Sequence, residues 1–451
     1  MRLLNLKSLA AGLAAVAFTV FAQPCLAQLQ LPNVRLPQLP VPTVPQTLNT
    51  LEQAPANDLT RLRALRLRTL IQRNRRDIDT DRNGAAILRG VVLAIAPSDT
   101  VLAQIRAAGF DVVDDRTLAG LDLRMVVLRA PVNVGTRAAL QQLRTLDPSG
   151  SYDYDHLFDA GQTNVNVATP QTAVETEPPA TVSPPATVSP PTSPNASSAS
   201  ARVGLIDSGI DVAHPVFRDV SIHAWGCSGQ PVASEHGTAV ASLLVGQAPS
   251  FAGVLPRGDL YAADVYCGRA TGGAADAIVS ALAWLLVQHV GVINVSLVGP
   301  QNLLIGRAVQ VALARGHVIV AAVGNDGPAA PPLYPAAYPG VIGVTAVDAH
   351  RKVLLEACRG PQVSFAAPGA DMEGAALSGK FRALRGTSFA APIVAGMIAL
   401  KYPAPDPANA SERMDELVHA AVDLGAPGKD PAYGYGLVGE AYRVPWAAMK
   451  P

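Results

Sequence analysis

The chain has 451 residues, with 35 Lys and Arg against 35 Asp and Glu, and is 49% hydrophobic but 5% aromatic. That length leaves room for two or more domains with full cores. The balanced charge excludes the strongly basic class of nucleic-acid binders and gives no reason to expect acidic substrates.

Residues 1–27 read as a secretory signal. Arg2 and Lys7 form the charged start, Leu9 to Ala22 the apolar stretch, and Ala22 or Ala27 a small residue before a cut. A membrane anchor is the weaker reading, because the apolar stretch is short and Pro24 interrupts it. The expected destination is outside the cytoplasm, periplasmic or secreted. Removing the segment takes away two cations and no acid, leaving a net charge of −2. Export permits disulfides, and Cys227, Cys267 and Cys358 remain. Cys227–Cys267 is the favoured pair, with three buried thiols as the alternative. No Cys/His cluster has zinc-site spacing, and no metal site is expected.

Residues 28–57 are proline-rich and read as extended or disordered. Residues 58–160 read as a basic helix followed by a small α+β unit. From Asp58 to Arg76, Leu62, Leu65, Leu67, Leu70 and Ile71 recur at helical spacing among seven arginines. Such a helix can dock on a membrane or an acidic surface. Packing on its own domain is the plainer reading, so membrane contact is not expected. Asp79 to Gly84 imitates the start of a calcium loop, but Gly90 stands where the bidentate Glu is needed, so it reads as a polar turn. Beyond it the pattern gives strand Arg89–Ile95, helix Asp99–Ala108, strands Phe110–Val113 and Leu121–Arg129, helix Arg137–Leu146 and strand Ser151–Tyr154. The order β-α-β-β-α-β is ferredoxin-like.

Residues 161–200 form a Pro/Ser/Thr-rich linker, with Pro-Pro-Ala-Thr-Val-Ser in tandem at 178–183 and 184–189. Residues 201–451 alternate apolar strands (Arg202–Ile206, Leu260–Val265, Gly291–Val295, His317–Ala322, Val341–Val347) with helices (Gly237–Val245, Ala274–Gln288, Leu303–Arg315, Thr387–Lys401, Ala408–Ala421). That alternation predicts an α/β domain, a parallel sheet with helices on both faces. Sites in such sheets gather beyond the carboxyl ends of the strands.

Three polar residues fall there. Asp207 ends a buried strand, His236 opens a helix among small residues, and Ser388 lies in Gly386-Thr387-Ser388, with Pro392 expected in the first turn of the helix that follows. A serine hydroxyl needs a base within reach, a histidine titrates near neutrality, and a buried aspartate orients the histidine. Each residue alone is better read as structural; the three together point to a nucleophilic serine.

Asp207-Ser208-Gly209, His236-Gly237-Thr238 and Gly386-Thr387-Ser388 resemble, in order, the signature segments of the subtilases, the subtilisin-like serine proteases. Val292 to Leu297, Val320 to Gly327, Ser364 to Gly369 and Tyr433 to Val438 resemble further landmarks. The resemblance covers about Ala201 to Arg443. It implies a serine endopeptidase acting on protein or peptide substrates, with Ser388 as nucleophile, His236 as base and Asp207 as its orienter. It also implies an oxyanion site made by Asn325 and the Ser388 N–H, and no required cofactor. Ser296, Leu297, Val298, Gly299, Ala322, Val323, Gly324 and Leu333 would line the substrate cleft, with Val298, Val323 and Leu333 making its primary pocket shallow. The ferredoxin-like unit would be a propeptide-type domain, assisting folding and inhibiting the site. His214-Pro215-Val216-Phe217 offers no acid where many relatives place a calcium ligand, so strong calcium dependence at that site is not expected; structural calcium is possible but not indicated. Two other readings compete: a catalytically silent binding protein on the same fold, and a basic-helix module that docks a protease to an acidic surface.

Overall fold

The structure, a computed structural model, describes residues 56–160, 201–269 and 271–445. The signal segment, nearly all of the proline-rich stretch and the linker lie outside the described residues. Among the described residues, no helix is long and apolar enough to cross a membrane.

The basic helix, α1, spans Ala56–Arg73. It therefore starts two residues inside the stretch expected to be extended and stops short of Arg76. Leu67, Leu70 and Ile71 pack inward, whereas Leu65 is 49% exposed. After it come β1 (Ile78–Thr80), β2 (Ala86–Ile95), α2 (Asp99–Ala107), β3 (Asp111–Leu118), β4 (Leu123–Arg129), α3 (Thr136–Leu146) and β5 (Ser151–Phe158). Asp79 to Gly84 is a turn: Asp81 Oδ1 accepts the Asn83 and Ala85 N–H groups at 2.8 Å each. The sheet order β5-β2-β4-β3, all antiparallel, with β1 added to β2, is ferredoxin-like as expected. One face buries Leu102 and Ile105 of α2 and Leu140 and Leu143 of α3 against Val92, Val126 and Leu128.

The rest of the chain supplies β6 (Arg202–Asp207), β7 (Ile222–Trp225), α4 (Glu235–Val245), the short hairpin β8 (Gln247–Ala248) and β9 (Phe251–Ala252), β10 (Asp259–Asp264), β11 (Gly273–Ala274), α5 (Ala275–Val287), β12 (Val292–Val295), α6 (Leu303–Ala314), β13 (Val318–Ala322), β14 (Ile342–Val347), β15 (Val363–Pro368), β16 (Met372–Ala375), β17 (Phe381–Leu384), α7 (Thr387–Lys401) and α8 (Ala410–Ala420). Seven strands in the order β15-β14-β13-β12-β6-β10-β7 form one parallel sheet. The five expected strands are its centre. The two edge strands were not anticipated: β7 reads Ile-His-Ala-Trp and has no apolar run, and β15 was marked only by resemblance. Cys227 and Cys267 form a disulfide and Cys358 is a buried free thiol, which settles the cysteine alternatives.

The second face of the N-terminal sheet is covered by the other half of the molecule. Leu93, Met125 and Val127 pack with Ile278, Leu282 and Leu286 of α5. The approach is so close that a Cβ on Gly120 would lie 2.0 Å from the Ala283 carbonyl oxygen. Strand β5 then pairs with β11, Leu157 opposite Ala274 and Phe158 opposite Gly273, so one antiparallel sheet runs through both halves. Two aspartates of β5 meet helix N-termini. Asp153 Oδ2 accepts the Leu303 N–H of α6 at 2.6 Å and Asp155 Oδ1 the Asp276 N–H of α5 at 3.2 Å. Side-chain oxygens there satisfy donors that a helix start leaves unpaired.

Helix α7 runs buried through the core, with all but Met397, Leu400 and Lys401 of its residues inaccessible. Gly396 permits this, since a Cβ there would come 2.6 Å from Val254 Cβ and 2.8 Å from its Cγ1. Those atoms lie at the root of a branched side chain and cannot swing away. Gly396→Ala should therefore destabilise the protein by about 1–3 kcal/mol, overlap outweighing the roughly 1 kcal/mol helix preference of alanine. Urea unfolding measures the difference.

Candidate active site

Asp207 ends β6 at the carboxyl edge of the parallel sheet and is wholly buried. Its Oδ1 accepts the Ser208 N–H at 2.6 Å and the Ser208 hydroxyl at 3.0 Å, and stands 2.7 Å from His236 Nδ1. His236 lies in the first turn of α4. A carboxylate on Nδ1 fixes the ring with hydrogen on that nitrogen and leaves Nε2 as the acceptor. Nε2 is buried and has no hydrogen-bond partner among the described residues.

Ser388 is the second residue of α7. Gly386, just before the helix, has φ +138°, and a Cβ there would sit 3.2 Å from Asn325 Nδ2; only glycine serves at this corner. Asn325 Oδ1 accepts the Thr387 N–H at 3.0 Å, which fixes the plane of the amide beside the start of the helix. Pro392 corrects the sequence reading. It lies one turn inside α7, where its missing N–H would otherwise bond to the Ser388 carbonyl. That carbonyl instead accepts the Ser296 hydroxyl at 2.9 Å. The serine is thus tied by its backbone to the Ser296–Gly299 segment.

The segment that ends β5 occupies the cleft between these groups. The Asp159 N–H donates to the Val298 carbonyl at 3.0 Å, and the Val298 N–H donates to the Asp159 carbonyl at 2.8 Å. With β11 on its other side, Phe158-Asp159 is an inner strand. Phe158 is buried beside Ile278, Leu282 and Val295. The Ser388 hydroxyl lies 3.1 Å from the Ala160 carbonyl oxygen and 3.4 Å from that of Ser296, so it is engaged away from His236 Nε2.

Several of the candidate cleft residues have neighbours that the structure fixes. Val298, Val323 and Leu333 share one apolar cluster with Leu297 and Cys358. Leu333 lies over Gly324: a Cβ on Gly324, whose φ is +102°, would come 2.6 Å from Leu333 Cδ1 and 3.3 Å from Cys358 Sγ. Gly299 pairs with Tyr334 through both backbone bonds, at 2.9 and 3.0 Å, and Ala322 ends β13. Sequence reasoning missed Phe158, Asp159, Ala160 and the β11 edge. The apolar run Leu157-Phe158 ahead of the linker was a usable sign. It also missed Asp326, which takes an ion pair from Arg63 at 2.8 Å. Burial, more than any neighbour, pushes its carboxyl above the usual range.

A strand-end aspartate on histidine, a helix-start serine and a facing asparagine at the edge of a parallel sheet are the groups that define a serine hydrolase. Comparison gives the family. The model of the subtilase family matches residues 198–436. Subtilisin DY of Bacillus licheniformis is 35% identical over 251 residues, 53% of this chain and 89% of its own. The minor extracellular protease Epr of Bacillus subtilis is 31% identical over 52% of this chain, though the match spans only 37% of Epr. Fervidolysin from Fervidobacterium pennivorans, described as a keratinolytic enzyme related to subtilisin, superposes with a TM-score of 0.60 at 19% identity, over 82% of this chain and 62% of its own; it shares the fold. The chain belongs to the subtilase family, whose members are serine endopeptidases.

Asp155 gives the docked state a pH dependence. Burial, and secondly the charge of Asp276, push its carboxyl well above the usual range. A raised carboxyl favours the folded, docked form in acid, and that contribution is lost as pH rises through the folded pKa. The Tm of a Ser388→Ala chain should therefore fall as pH rises above the ordinary carboxylate range, and Asp155→Asn should flatten that slope in scanning calorimetry.

Proposed function

We propose that this protein is an exported serine endopeptidase made in a latent form, its residues 1–27 serving as the export signal. The observation that carries the reading is the 2.7 Å contact of His236 Nδ1 with buried Asp207, which leaves Nε2 as an unpartnered base beside a serine at a helix start. Once Ala160 withdraws, the Ser388 hydroxyl can turn to Nε2. Its oxygen attacks the substrate carbonyl carbon while Nε2 takes the proton, and Asp207 holds the resulting imidazolium. The new oxyanion accepts from Asn325 Nδ2 and the Ser388 N–H. Collapse breaks the C–N bond, and His236 passes its proton to the leaving amine. Water then attacks the acyl-enzyme by the same route and regenerates Ser388.

The chain's own Phe158-Asp159-Ala160 serves as the template for a substrate. A substrate would pair antiparallel between β11 and Val298, presenting a large apolar side chain where Phe158 sits. Val298, Val323 and Leu333 would restrict the residue at the scissile bond to small or medium apolar side chains. Ser296, Leu297, Gly299, Ala322 and Gly324 would form the adjoining walls. The N-terminal domain would act as inhibitor by filling this cleft and as folding aid by capping α5 and α6 with Asp155 and Asp153. No cofactor is needed for this chemistry. Calcium is not part of the proposal: at the position in question His214 Nδ1 accepts the Val216 N–H at 3.1 Å, and Nε2 lies 2.9 Å from the Lys380 carbonyl, so both ring nitrogens are committed internally.

A fluorophosphonate probe should label the processed wild-type protein, with or without chelator, and leave Ser388→Ala unlabelled. A folded, processed wild type that takes no label would overturn the endopeptidase reading in favour of a silent binding protein. Leu333→Gly should deepen the pocket and add aromatic residues before the cut in a peptide-library profile; an unchanged profile would remove Leu333 from the pocket.

A further inference from the structure

Helix α1 precedes the ferredoxin-like unit and is not needed to complete its sheet. Its apolar face, Leu67, Leu70 and Ile71, covers Leu157 of β5 and Ala274 of β11. It therefore lies across the seam by which the cleft-filling strand is held. Its basic face reaches past that seam. Arg63 Nε stands 2.8 Å from Asp326 Oδ2, and Arg66 approaches Oδ1 at 3.7 Å. Asp326 follows Asn325 directly and its side chain is 8% exposed. A cavity of about 450 Å³ is lined by Arg63, Arg66, Asp159, His236 and Asp326 together.

The second acid in that cavity is Asp159, whose backbone is bonded on both sides to Val298. Seating the strand places Asp159 in the lining of the same cavity as Asp326, and two carboxylates sharing one partly desolvated site repel. In a partly desolvated cleft such a like-charge pair opposes docking. The Arg63 and Arg66 cations are the charges set against it, and they come from α1 rather than from either partner in the strand pairing.

We propose that α1 is a separate second part of the inhibitor: a charge clamp whose Arg63 and Arg66 neutralise the Asp159–Asp326 pair, so that the strand is held in the cleft only while the helix is docked. The proposal rests on the reading of the N-terminal domain as inhibitor. It assigns the arginine-rich segment an intramolecular partner, the acid beside the oxyanion asparagine.

The test uses the full chain carrying Ser388→Ala, which cannot cut itself. Amide hydrogen exchange is followed in residues 157–159, which bond only across the seam, and, as a folding control, in β2 and β4. Arg63→Ala with Arg66→Ala should lower protection of 157–159 by about tenfold and leave β2 and β4 unchanged. Adding Asp159→Asn should restore protection to within about twofold, because the repulsion is then gone. If the parent protects 157–159 and the arginine double variant protects them equally, the clamp is wrong and the inhibitor reading stands. If the parent itself leaves 157–159 unprotected, the inhibitor reading fails with it. Should the double variant not fold, the parent in about 0.05 and 0.5 M salt decides: screening should loosen 157–159 selectively, and salt-independent protection would overturn the clamp.

Discussion

One strand pairing governs this molecule. Residues 157–159 bond to β11 on one side and to Val298 on the other, joining the antiparallel sheet of the N-terminal half to the cleft of the parallel-sheet half. The other contacts between the halves are set by it. The open face of the N-terminal sheet comes down on α5, Asp153 and Asp155 reach the N-termini of α6 and α5, and Ala160 arrives over Ser388. A shift by one residue along β5 would turn Phe158 away from its apolar site and point Asp159 into it. Register and occupation of the cleft are thus one constraint.

The chemistry is held by the parallel sheet. Its central strands are buried on both faces, so their carboxyl ends carry the polar residues to one edge. Asp207 comes from β6, the Ser296–Gly299 segment from the end of β12, and Ala322 to Asp326 from the end of β13. Helix α7 delivers Ser388 to that edge from within the core. Pro392 and Ser296 then replace a missing helical bond with a link to the cleft wall. Ser388 is positioned by core packing and by that one side-chain hydrogen bond to its carbonyl, while its hydroxyl lies 3.1 Å from the Ala160 carbonyl oxygen.

The centre of this arrangement was legible in the sequence, because it rests on local signals. Continuous apolar runs marked the five inner strands, and the three short motifs placed Asp207, His236 and Ser388 in order. What was not legible depends on distant partners. Strand β7 has no apolar run because it is an edge strand, and β11 is two residues long, a strand only because β5 lies beside it. Pro392 suits a first turn, where its missing N–H has no helical partner; it lies one turn further in, and the Ser388 carbonyl it leaves open is met by Ser296, 92 positions earlier in the chain. The arginines of α1 showed as a charged stripe, but their acid lies more than 250 residues downstream. Leu65 and Leu70 look alike in sequence, and only the docked helix distinguishes the exposed one from the buried one.

The sheet that runs unbroken through both halves has a further consequence. Cutting the chain beyond Ala160 would remove none of the bonds that hold β5 to β11 and Val298, nor the apolar face over α5. The severed domain would stay bound, and its departure would become a bimolecular equilibrium. Before such a cut, the local concentration of the cleft-filling strand would be set by its covalent connection; after it, by the volume the protein occupies. Emptying of the cleft would then be set by dilution: crowded copies would keep one another's clefts filled, and dispersed copies would not.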